Sequence, residues 1–161
     1  MQKAEKLLKI DNSEIPLGLL VSMIHRTRMM YLNNRMKDLD ITAGQFPFIL
    51  VLSHEEGITQ EDLAAHFHID KGTVARALRK LEDNEYLFRK VDTKNRRRYL
   101  IYLTEKGKNA VPHINNIDKE WENSICSKFS DKDYLNLFDI LKILAVNSLK
   151  NVDRNGDKIN E

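Results

Sequence analysis

The sequence has little of several residue types, and each shortage excludes a class of protein. One cysteine cannot form an internal disulfide, so we expect a reducing, cytoplasmic environment. The longest uncharged stretch, Ile41–Ser53, has thirteen residues and contains Pro47, which is too short for a membrane span. From Met1 to Lys6 the chain is charged and no apolar core follows, so we expect no secretory signal. Six glycines and three prolines occur singly, which argues against a flexible linker.

The chain nevertheless has enough apolar residues to fold. It has 161 residues, of which 42% are hydrophobic and 31% charged. A disordered chain would have fewer apolar residues, and a membrane protein would have fewer charges. We therefore expect one globular domain over residues 1–161, with a strongly ionic surface.

The charge is concentrated in one segment. From Lys71 to Lys108, twelve lysines and arginines face five acidic residues, which gives a net charge of +7. The whole chain carries +2, so the other residues sum to −5. A basic segment on an acidic body is typical of proteins that bind a polyanion, but a solvated charged face gives the same composition. The placement of the charges has to distinguish these interpretations.

Apolar residues recur mainly at helical spacing, and polar capping residues mark the helix starts. The predicted helices begin at the caps Ser13, Thr42, Thr59, Asp70, Thr104 and Ser130 and reach Met36, Leu52, Phe67, Asn84, Lys128 and Val146. Pro47 should bend the second helix or shift its start. We expect the polar tail past Asn151 to fray.

Two short segments have a composition typical of strands. Tyr86–Val91 and Arg98–Leu103 are rich in aromatic and β-branched residues and flank a polar loop, which predicts a β-hairpin. The two short helices before it, joined by a turn in which Ile69 is the expected apolar anchor, complete a winged helix-turn-helix. The predicted fold is mainly α with a small β-wing. The winged helix-turn-helix covers about 42–104, between helices at about 13–40 and 105–150.

The second helix of this motif can bury one side and present the other. Val74, Leu78 and Leu81 share a side at i, i+4 and i+7. The opposite surface has small residues first and long basic ones later: Lys71, Gly72, Thr73, Arg76, Arg79 and Lys80. This pattern suits a helix that enters the major groove of double-stranded DNA by its N-terminal end. Arg76 is the best candidate for a bidentate guanine contact.

The hairpin tip carries a second basic group. Lys94, Arg96 and Arg97 lie close together there, although like charges in a tight turn repel one another. A narrow minor groove attracts inserted Arg or Lys, so these residues are predicted DNA contacts. We expect Asp92 to pair with one of the arginines and shape the loop.

At these residues the chain resembles a known family. The loop Asp92–Arg97 and the following Arg98–Gly107 resemble the wing signature of the multiple antibiotic resistance regulator (MarR) family. That family's helix-turn-helix pattern is also matched at Thr59, Gln60, Leu63, Ala64, Thr73, Val74, Leu81, Glu82 and Arg89. The resemblance covers about Leu17–Val146, with its specific motifs between Thr59 and Gly107. It implies a transcriptional regulator, a repressor or an activator, that needs no cofactor, and it adds Thr59 and Gln60 to the DNA-binding residues. The sequence has no Gly-rich phosphate loop, Gly-x-Ser-x-Gly or His-Glu-x-x-His motif, so we expect no enzymatic activity.

Three positions depart from the family pattern. Lys94 stands where the family has Arg, and keeps the charge without the fork geometry. Asn95 stands where the family has Asp. Glu85 replaces the glycine that ends the recognition helix, and we expect Asn84 to adopt the left-handed turn instead.

The resemblance implies a homodimer. In the family, the first helix and the last two interleave with those of a second subunit, so they are the N- and C-terminal dimerisation helices. The sequence supports this, because a monomer has little to cover the first helix or the apolar series Phe129, Leu135, Phe138, Leu141 and Leu144. Two-fold symmetry would match the recognition helices to a pseudopalindromic operator, about 34 Å apart.

The resemblance also implies an effector, a small aromatic or phenolic acid bound between the dimer helices and the DNA-binding lobe. Residues near that junction that suit such a pocket are Met23, Arg26, Met30, Tyr31 and Phe46. Arg26 or Arg28 would pair with the carboxylate. Packing in the core or at the dimer seam explains the same residues more simply.

Other interpretations rest on weaker patterns. His66, His68 and Asp70 end a helix and enter a turn, so they need not converge on zinc, and we expect no metal site. Cys126 is expected to pack as a small apolar residue rather than to sense oxidants. A winged helix can also serve as a protein-interaction or general nucleic-acid-binding module. The alternatives to an effector-controlled repressor are therefore such a module or a thiol- or metal-responsive regulator.

Overall fold

The computed structural model describes residues 5–156, with side chains up to residue 152. Within this range the α-helices are α1 (Leu17–Arg35), α2 (Phe46–His54), α3 (Gln60–Phe67), α4 (Lys71–Asp83), α5 (Glu105–Cys126) and α6 (Asp131–Gly156). The strands are β1 (Leu87–Val91) and β2 (Tyr99–Leu103), and short 3₁₀ turns span Lys6–Lys9, Asn12–Glu14 and Lys37–Leu39. The helices in this range all fall short of the length and apolarity that a membrane crossing requires. The mainly helical fold with a small wing is confirmed.

The capping residues explain most of the helix starts. The predicted box at Thr59–Asp62 is present, the predicted cap Ser130 accepts the N–H of Asp133 with its Oγ at 3.2 Å, and Thr104 Oγ1 accepts the N–H of Gly107 at 3.0 Å. The predicted cap Ser13 is wrong, because Asp11 instead caps a separate 3₁₀ turn and α1 begins at Leu17, after Pro16. The predicted cap Thr42 is wrong, because the N-cap of α2 is Gln45, whose side chain instead accepts from Thr42. Pro47 was expected to bend α2 or shift its start; the start is at Phe46, so Pro47 falls in the first turn, where a missing N–H is tolerated.

The core lies where α1, the helix-turn-helix, the wing and α5 meet. Its fully buried side chains come from each of these elements: Leu32, Met36, Ile49, Leu52, Leu63, Val74, Leu78, Leu81, Leu87, Ile101, Ile114 and Ile117. Burying one such side chain stabilises the fold by about 1.5–3 kcal/mol. The helix-turn-helix therefore sits on a packed base that fixes the direction of its outer face.

The wing is an antiparallel hairpin in register Leu87↔Leu103, Arg89↔Ile101 and Val91↔Tyr99. Paired residues share a face, so Leu87, Leu103 and Ile101 turn to the core. Ile58 adds an isolated bridge to Ile101, which ties the segment before α3 to the wing.

A left-handed residue joins the recognition helix to the wing. Glu85 has φ +61°, whereas Asn84 has φ −89°, so the prediction that Asn84 adopts the left-handed turn is wrong. The N–H of Tyr86 then donates to the carbonyl of Leu81 at 2.8 Å, which closes the helix end. Glu85 therefore holds the strained position at which the family has glycine.

The wing and α5 approach each other closely at Gly107. A Cβ on this residue would lie 2.1 Å from the carbonyl oxygen of Tyr86, so a side chain does not fit there. The same carbonyl accepts the N–H of Thr104 at 3.1 Å, which fixes its position. The glycine of the wing signature is thus explained by contact between backbones.

The contacts divide the chain into two compact units, and the boundary along the sequence lies between Trp121 and Glu122. In the second unit, α6 runs to Gly156, so the predicted fraying past Asn151 is wrong up to that residue; the rest of that prediction lies outside the described residues. The large apolar side chains of α6 are 37–63% exposed at Leu135, Ile140, Leu141, Ile143, Leu144, Val146, Leu149 and Val152.

Candidate nucleic-acid interface

The capping box at the start of α3 consumes the polar groups of Thr59. Thr59 Oγ1 accepts the N–H of Asp62 at 3.1 Å, and the Thr59 N–H donates to Asp62 Oδ2 at 3.0 Å. The Thr59 hydroxyl and then its N–H, both donating to the carboxylate, hold the pKa of Asp62 below its ordinary value. Thr59 is 2% exposed, so the structure makes it a helix cap and does not present its hydroxyl as the predicted DNA contact.

The turn between α3 and α4 is closed by the backbone. His68 has φ +51°, and the N–H groups of His68 and Ile69 donate to the carbonyls of Ala65 and Ala64. Ala64 is buried, as the close crossing requires, but Ile69 is 37% exposed and is not the predicted buried anchor. Gln60 Nε2 donates to the carbonyl of Lys71 at 3.4 Å, which links the starts of the two helices.

The recognition helix α4 is divided as predicted. Val74, Leu78 and Leu81 are fully buried along one side. The other side leaves Lys71, Gly72, Arg76, Arg79 and Lys80 exposed, with Thr73 half-buried. Asp70 caps the helix, because its Oδ1 accepts the Thr73 N–H at 2.8 Å. Four long cations and the helix N-terminus thus point away from the core, which favours contact with an anion.

The wing tip is held by its own polar side chains. Asp92 Oδ1 accepts the Lys94 N–H at 2.8 Å, and Asn95 Oδ1 accepts the Arg97 N–H at 3.1 Å. The predicted pairing of Asp92 with an arginine is therefore wrong, since its carboxylate is used by the backbone. Lys94, Arg96 and Arg97 are all exposed and their charged ends remain accessible at the tip.

A cleft of about 390 Å³ lies between the start of α3 and the wing. Gln60, Arg89, Arg97 and Arg98 contribute its donor groups. Arg89 Nε is 3.3 Å from Glu82 Oε2, but this buried nitrogen makes no hydrogen bond within the described part of the chain. The cleft joins the start of α3 to the wing, and the carboxylates of Glu61 and Asp62 also line it opposite the arginines.

Sequence reasoning left Arg89 and Arg98 out of the predicted contacts. Arg89 lies on the strand face that turns to the core, between Leu87 and Val91. A charged residue at such a position needs a polar partner, and this could have identified Arg89 from the sequence as a candidate functional residue. Arg98 lies just before β2 and lines the same cleft. The cleft beside the wing therefore holds two arginines that are not among the predicted contacts.

The predicted effector residues do not form one site within this chain. Phe46 is buried in the core and Tyr31 packs against it, whereas Met23 and Met30 are 44% and 67% exposed. Arg26 lines a shallow groove on α1 with Val21, Ser22, His25 and Met29. The neighbouring Arg28 is committed elsewhere, since its Nη2 lies 2.7 Å from Asp118 Oδ1.

Within residues 5–156, no group of three His, Cys, Asp or Glu side chains could hold a metal ion. His66 instead contacts the ring of Phe67, with centroids 4.8 Å apart. Cys126 is half-buried in the second unit, near the end of α5.

This chain is a winged helix-turn-helix protein, as its two short helices, the turn between them and the hairpin define. Comparison with known proteins identifies the family within that class. The MarR family model matches residues 41–99. A crystal structure of a MarR transcriptional regulator from Methanosarcina mazei is 40% identical, with a TM-score of 0.80 over 83% of this chain and 96% of the other. The chain belongs to the MarR family of transcriptional regulators.

Two further proteins similar to this chain are also helix-turn-helix regulators or DNA-bound proteins by their descriptions. The HTH-type transcriptional regulator YybA of Bacillus subtilis is 36% identical over 92 residues, which span 57% of this chain and 61% of the relative. The structure of a complex between MepR of S. aureus and DNA is 26% identical, with a TM-score of 0.76 over 83% of this chain and 98% of that one.

Proposed function

We propose that this chain is a sequence-specific regulator that binds double-stranded DNA and acts as a repressor. The observation that carries the proposal is the exposed face of α4, which presents the cations Lys71, Arg76, Arg79 and Lys80 along its length while the opposite face is buried. A winged helix that docks on a protein partner would present apolar residues on this face. The related MepR is described in complex with DNA, which supports the same role here.

The proposed contacts divide into two kinds. Arg76, with Thr73 and Gly72 beside it, enters the major groove and reads base edges. Gln60 donates a hydrogen bond to a phosphate. Phosphates are neutralised, or the minor groove is entered, by the cations Lys71, Arg79, Lys80, Lys94, Arg96 and Arg97, and Arg89 and Arg98 extend this surface. Thr59 acts as the cap of α3 and contributes only by orienting that helix.

The regulator acts as a homodimer on a pseudopalindromic operator. The apolar side chains exposed on α1 and α6 support this, for example Leu17 at 58% and Leu135 at 63% exposure. Surfaces of this kind usually mark protein contacts. In this assembly the whole chain forms one functional domain, with residues 42–104 as the lobe that meets DNA and with α1, α5 and α6 as dimerisation helices.

Fluorescence anisotropy tests DNA binding directly. The probe is a duplex that the wild-type protein selects from a randomised library, compared with random duplex of the same length. Six or more phosphate contacts per dimer give a log–log salt slope of about −5 or steeper. Arg76→Ala should cost about 1–3 kcal/mol on the selected duplex and reduce sequence preference.

The matched control is Lys94→Ala, which should weaken binding to both duplexes similarly. Equal losses on the two duplexes for Arg76→Ala would contradict its base-reading role. A wild-type chain that enriches no sequence and has a flat salt response would refute the proposal in favour of a protein-interaction module.

We further propose that a small aromatic or phenolic acid relieves repression. The groove on α1 supports effector binding, because Arg26, which can pair with a carboxylate, and the apolar Met29 both line it. The other predicted effector residues do not line this groove: Met23, Met30, Tyr31 and Phe46. They contribute to effector binding only if a second subunit completes the pocket. Titration with 2-hydroxybenzoate should release the selected duplex from the wild type and not from Arg26→Ala. Release by peroxide or zinc in its place would favour the thiol- or metal-responsive alternative.

A further inference from the structure

Three polar side chains form a hydrogen-bonded row along the first two turns of α4. Thr73 Oγ1 lies 2.6 Å from Asp70 Oδ2, and Arg76 Nη2 lies 2.9 Å from Thr73 Oγ1. The three residues are spaced at i, i+3 and i+6, so they follow one line on the outer face of the helix. The row ends at the guanidinium that we propose reads the bases.

The protons of this row can be assigned from its chemistry. An ionised carboxylate only accepts hydrogen bonds, and a guanidinium only donates them. The bonds from the Thr73 hydroxyl and the Thr73 N–H hold the pKa of Asp70 below its ordinary value, so the carboxylate is charged. Thr73 therefore gives its single proton to Asp70, and its oxygen is left to accept from Arg76.

This assignment changes the role of Thr73. Its hydroxyl has no second proton to donate to a base or a phosphate, so a contact in which Thr73 donates would require it to release Asp70. Relying on the proposed function, we propose that Thr73 is a positioning residue: held by Asp70, its hydroxyl orients the guanidinium of Arg76 before DNA arrives.

The benefit is a smaller ordering cost on binding. A free Arg side chain has many rotamers, and a contact that immobilises it loses that freedom. Arg76 uses one N–H on Thr73 and retains four, which suffice for two parallel bonds to guanine. Because the bond to Thr73 already fixes the side chain, less freedom is lost when the base is bound.

Gly72 leaves space for this row. A Cβ at this position would lie 3.1 Å from Asp70 Oδ1 and 3.5 Å from Arg76 Nη1. The first distance is tighter than an ordinary contact, so any side chain at position 72 would press on the carboxylate that anchors Thr73. The glycine therefore favours the row as well as close approach to a duplex.

The test removes the hydroxyl and keeps the shape. Thr73→Val retains a β-branched side chain of similar size but cannot accept from Arg76, whereas Thr73→Ser restores the hydroxyl. The affinity of each variant is measured by fluorescence anisotropy on the duplex selected by the wild type and on random duplex. We expect Thr73→Val to lose about three- to tenfold on the selected duplex and little on the random one, and Thr73→Ser to remain near wild type.

A double-mutant cycle separates positioning from direct contact. If Thr73 acts through Arg76, Thr73→Val should have no further effect in the Arg76→Ala background. The same loss in both backgrounds would overturn the proposal, as would an unchanged affinity of Thr73→Val or equal losses with valine and serine. Thermal unfolding of each variant checks that α4 remains folded.

A failure of the role proposed for Thr73 can be distinguished from a failure of the proposed DNA-binding function. If the wild type selects no sequence, the DNA-binding proposal itself fails. If the wild type selects a sequence and Arg76→Ala weakens it, but the cycle shows no coupling, then only the role of Thr73 is refuted.

Discussion

The recognition helix and the last helix carry similar apolar stripes that end in opposite states. On α4, Val74, Leu78 and Leu81 are fully buried by the rest of the winged lobe. On α6, Leu135, Leu141 and Leu144 are 63%, 48% and 37% exposed. Both stripes follow helical spacing, so the difference lies in what covers them. The lobe completes its core within one chain, whereas α6 has, among the described residues, little that covers it.

This comparison indicates where the stability of each region comes from. A buried stripe stabilises the lobe at any protein concentration, whereas an exposed stripe contributes only when something else covers it. Under the proposed function that cover is a second copy of the chain. Variants of the two stripes test this difference.

Truncation of one leucine in each stripe should have unequal effects. Leu78→Ala leaves a cavity in the lobe and should lower the free energy of unfolding by about 2–5 kcal/mol at every protein concentration. Leu141→Ala should have a smaller effect in dilute protein and a larger one as concentration rises. Urea unfolding at several protein concentrations measures both. A cost for Leu141→Ala that equals that of Leu78→Ala and does not vary with concentration would contradict the comparison.

The tight packing of the lobe predicts a second large effect. Gly107→Ala would place a Cβ 2.1 Å from the backbone oxygen of Tyr86, which neither backbone can avoid without moving. We expect a loss of about 3 kcal/mol, measured by thermal or urea unfolding, because overpacking of this kind displaces the wing from α5. Gly18→Ala on α1 is the matched control, since no atom lies within 4 Å of its added Cβ. Similar stabilities for the two variants would show that the approach at Gly107 is looser than described.

The features that the sequence predicted are those set by local chemistry. The box at Thr59–Asp62 and the cap at Asp70 follow from side chains within three residues of their partners. The stripe of α4 follows from its spacing, and the hairpin from its change of period. Such patterns need no knowledge of the distant chain, which is why they could be derived in advance.

The features that the sequence missed depend on distant or competing contacts. Ser13 was expected to cap α1, but it lies in a separate turn that Asp11 caps, and α1 starts after Pro16. Asp92 was expected to pair with an arginine, but the nearer N–H of Lys94 competes successfully. The effector residues share a composition that suits a pocket, but Phe46 is needed in the core. The DNA contacts remain predictions, because each depends on a partner molecule.

The left-handed Glu85 predicts a smaller effect of opposite sign. A non-glycine residue at φ +61° is strained by its Cβ, so Glu85→Gly should stabilise the lobe by about 1 kcal/mol. Asn84→Gly is the control, because Asn84 has φ −89° and its Nδ2 donates to the carbonyl of Asp40 at 2.9 Å. Thermal unfolding should show a gain for the first variant and a loss for the second. If only Asn84→Gly raised the unfolding temperature, the strain would lie at Asn84, and the assignment of the strained position to Glu85 would be contradicted.

The smallest expected effect is a pH dependence at the start of α3. The bonds from the Thr59 hydroxyl and N–H lower the pKa of Asp62 from its ordinary value of 3.8, so the ionised carboxylate stabilises the folded lobe. This contribution is present above pH 3.8 and is lost as the pH falls through the lower folded pKa, because the proton binds more readily to the unfolded chain. In Asp62→Asn the cap is neutral at every pH, so its unfolding temperature should fall less than that of the wild type between about pH 5 and 3. Parallel curves for the two proteins would mean that the ionised form of Asp62 is not what secures this helix start.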